Sequence, residues 1–423
     1  MTPELAAAVD AQTDFAADVF DRLRAASVDV RGVTRASYGE GEQAAHDLMA
    51  EISRGLGLEV TKDAAANTYF TWPGQDRSKP IRMVGSHLDS VPQGGNFDGA
   101  AGVVSGLTAI RALQAMGHAP VQDISVMGVR AEESCWFGVS YIGSRSALGV
   151  LPEGALQTAT RMGDGMVLGE AIAAAGGEPE RIENGPPHLP VERVAAFLEP
   201  HIEQGPVLVE EGFPAGIVTG IRGNRRFPNA RCIGEYAHCG GAPRRVRRDC
   251  VVAASAFVQA MDRIWDEAEA AGDDFACTIG KFQTDSERHA MTVISGEVAF
   301  TLDMRSVEPA MLARLETRVP EIAAEIGLKQ GVSFDLGPMT KAAPGVMDDS
   351  LVGVYRKAAA AMGVAAMDIP SGASHDSAAF ADAGVPTAML FIRNEHGSHN
   401  PDEAMEIPDF INVTKLLAAA LAQ

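Results

Sequence analysis

The sequence of 423 residues predicts an α/β fold with a second, α+β domain inserted into it. Short apolar strands alternate with amphipathic helices before residue 215 and again after about residue 335, which is typical of a mixed sheet flanked by helices. The segment between shows paired strand-like stretches and two long helices. The chain is also longer than one hydrophobic core usually organises, which favours two domains. We therefore expect one domain in two parts, residues 1–214 and 331–423, and a second domain over residues 215–330.

The first part of the α/β domain is predicted from its apolar spacing. Ile124–Val129 is almost wholly apolar, as expected of a strand buried on both faces. Val103, Leu107 and Ile110 recur at helical spacing just before it. The predicted helices are 4–26, 41–55, 99–116 and 167–175, and the predicted strands are 58–61, 68–72, 81–85, 124–129 and 194–198.

The inserted domain shows a different pattern. Val298, Phe300, Leu302 and Met304 alternate with polar residues, which predicts a half-buried antiparallel strand. The predicted strands are 215–222, 230–237, 276–284 and 290–305, and the predicted helices are 248–271 and 308–326. The last part of the chain returns to the first pattern, with predicted helices at 349–362 and 376–383, a strand at 386–392 and a final helix.

Composition and charge narrow the function classes. The 56 acidic and 35 basic side chains give a net charge of −21, which disfavours nucleic acid and anionic membranes as partners. No apolar run approaches the roughly 18–20 residues that span a bilayer. Eight arginines between residues 222 and 248 form a local basic segment, for which we expect ion pairs or an anionic ligand.

Cysteine usage and the N-terminal segment favour a cytoplasmic protein. The five cysteines lack C-x-x-C spacing, so we expect free thiols in a reducing compartment. Cys135 is expected to be a small core residue. The first residues carry acids and lack the basic region of a signal peptide.

Polar side chains follow the predicted strand at 81–85. His87, Asp89 and Asp98 lie in and around a glycine-rich loop directly after it. His87 and Asp98 can converge on one cation, and Asp89, two residues from His87, can accept the hydrogen of the other ring nitrogen. Taken alone, the stretch is also compatible with a polar turn at a strand end.

Glu132 and Glu133 follow the buried strand at 124–129. Adjacent side chains point in different directions, so one carboxylate can ligate a metal while its neighbour remains free beside it. A free carboxylate next to a metal-activated water is what general-base hydrolysis requires. A pair of solvated acids is the alternative interpretation.

Two further histidines follow other predicted strands. His201 lies after the strand at 194–198, and His399 is favoured over His396 because Pro401 fixes the chain just after it. Imidazole and carboxylate donors suit Zn²⁺, Mn²⁺, Co²⁺ or Ni²⁺, and two such cations can be held if one carboxylate is shared. The full candidate set of metal ligands is His87, Asp98, Glu133, His201 and His399.

Taken in order, these motifs resemble the M20 metallopeptidase superfamily. The His-Ile-Glu-Gln-Gly-Pro element that starts at His201 points to its hydantoinase/carbamoylase amidases, which include N-carbamoyl-L-amino-acid hydrolases and allantoate amidohydrolases. The resemblance runs from about residue 30 to the end of the chain. It rests on Gly-Ser-His87-Leu-Asp89, Gly94-Gly-Asn-Phe-Asp98-Gly, Glu132-Glu133, the element at His201, Asp303-Met-Arg305 and Gly397-Ser-His399-Asn-Pro401.

The resemblance implies a catalytic domain with two divalent metal ions, and an inserted lid domain that also forms a homodimer. It implies that Asp98 bridges the metals. Glu132 would be the general base for a water that bridges them, and Asp89 would support His87.

The resemblance also implies substrate-binding residues. His238 would act across the dimer interface on the scissile carbonyl, and Arg305 would bind a substrate carboxylate. Gln204 and Asn224 could donate hydrogen bonds to the substrate. This sequence departs from the family pattern after His238 (Cys239-Gly240-Gly241), at His289-Ala-Met-Thr292 and at Ser374, so His289 and Ser374 are added as candidates.

The sequence therefore predicts a metal-dependent amidohydrolase that cleaves a linear amide or ureido bond. Its substrate would be a small N-carbamoyl or N-acyl compound that bears a carboxylate. The alternatives are an aminoacylase or dipeptidase of the same superfamily and a non-catalytic ligand-binding relative.

Overall fold

A computed structural model describes residues 3–423. Met1 and Thr2, where the predicted first domain begins, lie outside the described residues. The described chain forms two compact units, one of residues up to Thr219 together with Val346–Gln423, and one of Gly220–Gly345.

The first unit begins with helices that precede and flank its sheet. One helix is predicted over residues 4–26, but the structure has two helices that are separated at residues 11–12. There the buried Gln12 donates from its side-chain Nε2 to the Ala8 carbonyl oxygen (2.9 Å), which ends the first helix. The elements to residue 150 are α1 (Pro3–Asp10), α2 (Thr13–Ser27), α3 (Glu40–Gly55), β1 (Glu59–Lys62), β2 (Thr68–Trp72), β3 (Ile81–His87), α4 (Ala100–Ala115), β4 (Ile124–Val129), α5 (Ser134–Phe137) and α6 (Ile142–Leu148).

The next part of the chain contains short helices and then returns to the sheet. Where one helix is predicted between residues 150 and 190, the structure has three. The elements are α7 (Ala155–Thr158), α8 (Leu168–Ala174), α9 (Pro179–Asn184), β5 (Val194–Ile202), α10 (Val207–Glu211) and β6 (Ala215–Ile221), with a 3-10 turn at Val191–Arg193.

The second unit is built on a six-stranded antiparallel sheet in the order β10-β12-β7-β13, with β14 paired to β7 and β9 to β12. Two long helices, α11 and α12, pack on it around Phe257, Phe300 and Leu315. Its elements are β7 (Gly223–Ile233), β8 (Ala237–His238), α11 (Cys250–Ala271), β9 (Ala276–Thr278), β10 (Phe282–Thr284), β11 (Val293–Ile294), β12 (Glu297–Ser306), α12 (Pro309–Gln330), β13 (Ser333–Asp335) and β14 (Thr340–Ala342), with a 3-10 turn at Arg244–Val246.

Strand β12 confirms the predicted alternation, since its even-numbered residues are buried and its odd-numbered residues are partly exposed. The second unit differs from the predicted span of 215–330 at both ends. Strand β6 pairs with residues 390–392 of the large sheet, and residues 333–335 and 340–342 pair with β7.

The chain then completes the first unit. The remaining elements are β15 (Gly345–Val346), α13 (Asp349–Met362), β16 (Ala366–Ser371), α14 (Asp376–Asp382), β17 (Thr387–Ile392), β18 (Asn394–Glu395), β19 (Ala404–Met405) and α15 (Ile407–Leu421). The nine-stranded sheet has the order β1-β2-β4-β3-β5-β17-β6-β15, and β16 also pairs with β6.

The centre of this sheet is parallel and fully covered. Strands β4, β3, β5 and β17 are parallel neighbours, whereas β2 and β6 run antiparallel to β4 and β17. All six residues of β4 are buried, as predicted. Helix α4 packs on β3 and β5, and its small residues allow close contact, since a Cβ at Gly102 would lie 2.4 Å from the Pro200 carbonyl oxygen. The predicted mixed α/β sheet with flanking helices is confirmed.

Candidate active site

The candidate site lies at the carboxyl ends of the four parallel strands. His87 ends β3, His201 is the next-to-last residue of β5, and Glu132 and Glu133 follow β4. His399 lies in the loop after β17 and β18. Because the carboxyl ends of parallel strands share one edge of the sheet, residues far apart in the sequence come together there.

The side chains form two groups of potential metal donors that share one carboxylate. One group is His87, Asp98 and His201, and the other is Asp98, Glu133 and His399; within each group the donor atoms lie within 4.8 Å of one another. Asp98 Oδ1 lies 3.2 Å from His201 Nε2 and 3.7 Å from His87 Nε2. Asp98 Oδ2 lies 3.3 Å from His399 Nε2. Each group thus faces its own oxygen of Asp98.

Asp89 orients both the first histidine and the two glutamates. Its Oδ1 lies 3.2 Å from His87 Nδ1 and accepts the backbone N–H of Glu132 at 3.1 Å. Its Oδ2 accepts from the backbone of Glu133 (3.2 Å) and from the Ser37 hydroxyl (2.6 Å). The Asp89 carbonyl oxygen also lies 3.1 Å from His87 Nδ1, so the backbone and carboxylate of Asp89 together orient His87 with Nε2 toward Asp98. The carboxylate also holds the Glu132-Glu133 turn in place.

Several residues at the site have the left-handed backbone conformation that non-glycine residues rarely adopt. Ala131, Gln204 and His399 have φ of 53°, 64° and 59°. Such conformations concentrate at functional sites, where the surrounding contacts hold them. Gly99, with φ 65°, follows Asp98, and a Cβ there would lie 2.5 Å from the His87 ring.

Burial raises the pKa of both glutamates. Desolvation raises the pKa of Glu133 to about 7, and the Asp98 charge adds to the increase. Desolvation also raises the pKa of Glu132 well above its ordinary value; the positive charge of His87 opposes this and the Glu133 charge adds to it. When two carboxylates lie close together in a buried site, a nearby positive charge stabilises their ionised forms.

The donor set fits divalent cations. Glu133 Oε1 is buried without a hydrogen-bond partner in the described chain, and it lies 3.4 Å from His399 Nε2. Imidazole nitrogens and carboxylate oxygens are the ligand types of zinc, manganese, cobalt and nickel sites. His201 Nδ1 lies 2.9 Å from the Ile202 carbonyl oxygen, which orients Nε2 toward Asp98.

Comparison with known proteins identifies the family. Residues 83–423 match peptidase family M20/M25/M40. The chain belongs to the M20 family.

Characterised relatives of this M20 protein are amidohydrolases. It is 34% identical over 373 residues to an N-carbamoyl-L-amino acid amidohydrolase of Geobacillus stearothermophilus, with 88% of each chain covered. It is 31% identical over 398 residues to an allantoate amidohydrolase of Escherichia coli K12, with 93% of each covered. A crystal structure of a hydantoinase/carbamoylase family amidase from Burkholderia ambifaria superposes with a TM-score of 0.84 at 28% identity, covering 97% of this chain and 95% of that one. The M20 chain is thus a hydrolase of the amidase type, and the predicted family is confirmed.

Gln204 lies nearest the metal donors among the candidate substrate residues of the first unit. Its Nε2 lies 3.1 and 3.2 Å from the two oxygens of Asp98 and 3.3 Å from His399 Nε2. Ser374 is exposed, directly before the buried His375 and the start of α14.

The remaining candidates lie in the second unit. Asn224 of β7 is the register partner of Arg305 on β12, and Asp303 accepts from Arg305 Nη2 at 3.0 Å. His238 and His289 are exposed; Nδ1 of His238 accepts the Gly240 N–H at 3.2 Å, and His289 Nδ1 lies 2.9 Å from Thr284 Oγ1.

The structure adds residues that the sequence does not reveal. Glu403 and Ser398 contact the Asp98 loop, and Glu199 joins β3 to α14 by accepting from Ser86 Oγ (2.9 Å) and Ser377 N (2.7 Å). Glu403 follows the His399 motif by four residues, and that proximity is the only sequence signal for it.

The cysteines and the membrane-spanning potential of the helices were also predicted from the sequence. Cys135 is exposed on α5, so its assignment to the core is wrong; the short helix turns its side chain outward. All five cysteines are free thiols, as predicted. In residues 3–423, no helix is both long and apolar enough to cross a membrane.

Proposed function

We propose that the chain is a metal-dependent amidohydrolase that cleaves a linear C–N bond of a small N-carbamoyl or N-acyl compound bearing a carboxylate. The observation on which this rests is the pair of donor groups that share Asp98. Glu132 is buried and close enough to His87 and Glu133 for their charges to act on it, and it belongs to neither group. The relatives named N-carbamoyl-L-amino acid and allantoate amidohydrolases support the ureido class of substrate.

Two divalent cations, of zinc, manganese, cobalt or nickel, would be held by the two groups, with Asp98 common to both. When bound, they supply Lewis-acid chemistry, which lowers the pKa of water and polarises a carbonyl group. Two divalent cations carry four positive charges, and the carboxylates of Asp98 and Glu133 cancel two of them. The positive charge that remains favours an anionic substrate.

Glu132 would move the proton. It is only 9% exposed and lies next to Glu133 in the sequence, while its backbone N–H is held by Asp89. Its carboxylate accepts a proton from the water that attacks the carbonyl carbon, and then donates that proton to the leaving nitrogen as the C–N bond breaks. The raised pKa of Glu132 suits a group that must both take up and release a proton.

His238 would stabilise the oxyanion. Because its Nδ1 accepts the Gly240 N–H, the neutral ring carries its hydrogen on Nε2, which is then the donor. The exposed position of His238 is compatible with action on the active site of a second copy in a homodimer, as the family resemblance implies.

Arg305 and Asn224 would bind the substrate carboxylate. Directly opposite residues of an antiparallel pair have side chains on one face, so a single ligand can contact both. Asp303 contacts Arg305 at Nε (3.2 Å) and Nη2 (3.0 Å), which fixes the plane of the guanidinium. Further candidates for polar contacts with the substrate are Gln204, His289 and Ser374.

We also propose that the protein is located in the cytoplasm.

An ammonia-release screen tests this function. The purified protein, supplied with Mn²⁺ or Zn²⁺, is incubated with N-carbamoyl, ureido and N-acyl carboxylates, and ammonia and free amine are both measured. Turnover of a ureido compound with ammonia release supports the proposal. Release of an amine only from N-acyl compounds identifies an aminoacylase instead, and no turnover of any compound by metal-loaded protein rejects the enzyme function.

A further inference from the structure

We propose that Glu403 is a positioning residue that fixes Asp98 and joins the two loops that carry metal donors. This inference rests on the proposed metal pair. Glu403 is 7% exposed, and it is not one of the donors in either group.

Both oxygens of Glu403 are engaged at the site. Oε1 accepts the backbone N–H groups of Phe97 (2.9 Å) and Asp98 (3.2 Å), and Oε2 accepts from the Ser398 hydroxyl at 2.7 Å. The same hydroxyl lies 2.8 Å from Asp98 Oδ2. Glu403 therefore contacts Asp98 in two ways, directly at its backbone N–H and through Ser398 at its carboxylate.

The loop that carries Asp98 needs such support. Residues 95–99 lie outside any helix, strand or bridge, and the backbone N–H groups of Phe97 and Asp98 both donate to Glu403. The loop is also closely fitted to Glu403, since a Cβ at Gly95 would lie 2.0 Å from the Glu403 carboxylate carbon. Ser398 directly precedes His399, so one side chain connects the donor loop after β3 with the donor loop after β18.

The hydrogen-bond chemistry predicts which replacement keeps this function. In the Glu403→Gln variant, the amide oxygen of the new side chain can accept the same two backbone N–H groups. The amide NH₂ can donate to Ser398 Oγ, whose single hydrogen is then available to Asp98 Oδ2. Glu403→Gln should therefore preserve the arrangement, whereas Glu403→Ala removes it, and Ser398→Ala removes only the link to the side chain of Asp98.

Metal binding, not activity, is the measurement. Each protein is freed of metal with a chelator and titrated with Zn²⁺ against a competing indicator, and the Co²⁺-loaded protein is examined by visible absorption. Loss of a group that orients metal ligands typically costs about tenfold to one hundredfold in metal affinity. We expect a loss in this range for Glu403→Ala with an altered Co²⁺ spectrum, a smaller loss for Ser398→Ala, and wild-type behaviour for Glu403→Gln.

Asp123→Ala is the matched control. Asp123 is also a buried carboxylate, 6% exposed, and it accepts from Gly74 N (2.8 Å) and Arg77 Nε (3.2 Å) before the amino end of β4, at the other edge of the sheet from the site. Its loss should lower the melting temperature and leave Zn²⁺ affinity unchanged.

The outcomes separate this inference from the proposed function. If wild type binds no Zn²⁺, the metal pair itself is rejected and the role of Glu403 with it. If wild type binds Zn²⁺ and Glu403→Ala binds it equally well, only the role of Glu403 is rejected. Should Glu403→Ala fail to fold, Ser398→Ala decides: wild-type Zn²⁺ affinity and Co²⁺ spectrum there contradict the inference.

Discussion

The buried metal donors and the candidate substrate residues of the second unit lie in very different environments. The side chains of His87, Asp98 and His201 are 3%, 3% and 1% exposed, whereas that of Arg305 is 34% exposed and His238 is exposed. His399 is the exception among the donors, since its side chain is 52% exposed. A buried charge is costly unless it is paired, so the buried group tolerates few alternative residues. The exposed group has no such restriction. The sequence matches the family motifs at the buried donors, and its departures after His238 and at Ser374 fall on exposed or partly exposed residues.

Replacement of the proposed base should have the largest effect. Glu132→Gln keeps the size of the side chain but removes its ability to accept a proton. General-base catalysis contributes about 10²–10⁴-fold, so kcat should fall by that factor while metal content per chain stays the same. Steady-state kinetics and metal analysis of the same preparation check this; kcat near wild type would remove Glu132 from its role.

Replacement of the exposed His238 tests whether the second unit acts on the active site of the other subunit. His238→Ala should lower kcat by about 10²–10³-fold, the usual loss for one oxyanion donor. Mixing it with Glu132→Gln under conditions of subunit exchange should restore about one quarter of wild-type activity, because random pairing creates dimers with one intact site. Absence of recovery in a mixture shown to contain mixed dimers would place His238 outside the partner's site.

Arg305→Lys tests recognition of the substrate carboxylate. Hydrogen bonds to charged groups contribute about 1.5–3 kcal/mol, so KM should rise about tenfold to one hundredfold with a smaller change in kcat. Arg226→Lys is the matched control, since Arg226 also pairs with Asp303 (Nε to Oδ2, 2.9 Å). Equal changes in KM for both variants would mean that the strand geometry, and not the contact with substrate, is responsible.

The smallest effect concerns stability of the second unit. Asp249 caps α11 by accepting the N–H groups of Val251 (3.0 Å) and Val252 (3.3 Å). Asp249→Ala should lower the free energy of unfolding by about 1 kcal/mol and leave metal affinity unchanged. Urea denaturation checks the first part, and Zn²⁺ titration the second.

Elements defined by local signals were predictable from the sequence. Strand β4 and helix α13 have the predicted bounds; β4 is apolar on both faces, and α13 lies between the cap Asp348 and Gly363 with φ 69°. The donor residues could be found for a related reason, because each follows an apolar strand.

Elements that depend on distant partners could not be predicted. Strand β7 begins at Gly223, not at residue 230, because it pairs with the distant strand β12 along its whole length, from Gly223 opposite Ser306 to Ile233 opposite Glu297. Its arginines also form ion pairs with carboxylates far along the chain, such as Arg226 with Asp303 and Arg231 with Glu297. Five arginines of the basic segment form such ion pairs, as expected: Arg222, Arg225, Arg226, Arg231 and Arg248. Glu403 was missed for the same reason, since its partners Phe97 and Asp98 lie about three hundred residues away.

We propose that one buried carboxylate, that of Asp98, serves two metal ions. Metal analysis of wild type and Asp98→Ala after dialysis in Zn²⁺ or Mn²⁺ tests it most directly, because this replacement removes one donor from each group. We expect two ions per chain in wild type and loss of both in Asp98→Ala, with the fold retained by circular dichroism. A folded Asp98→Ala variant that still holds two ions per chain would contradict the claim.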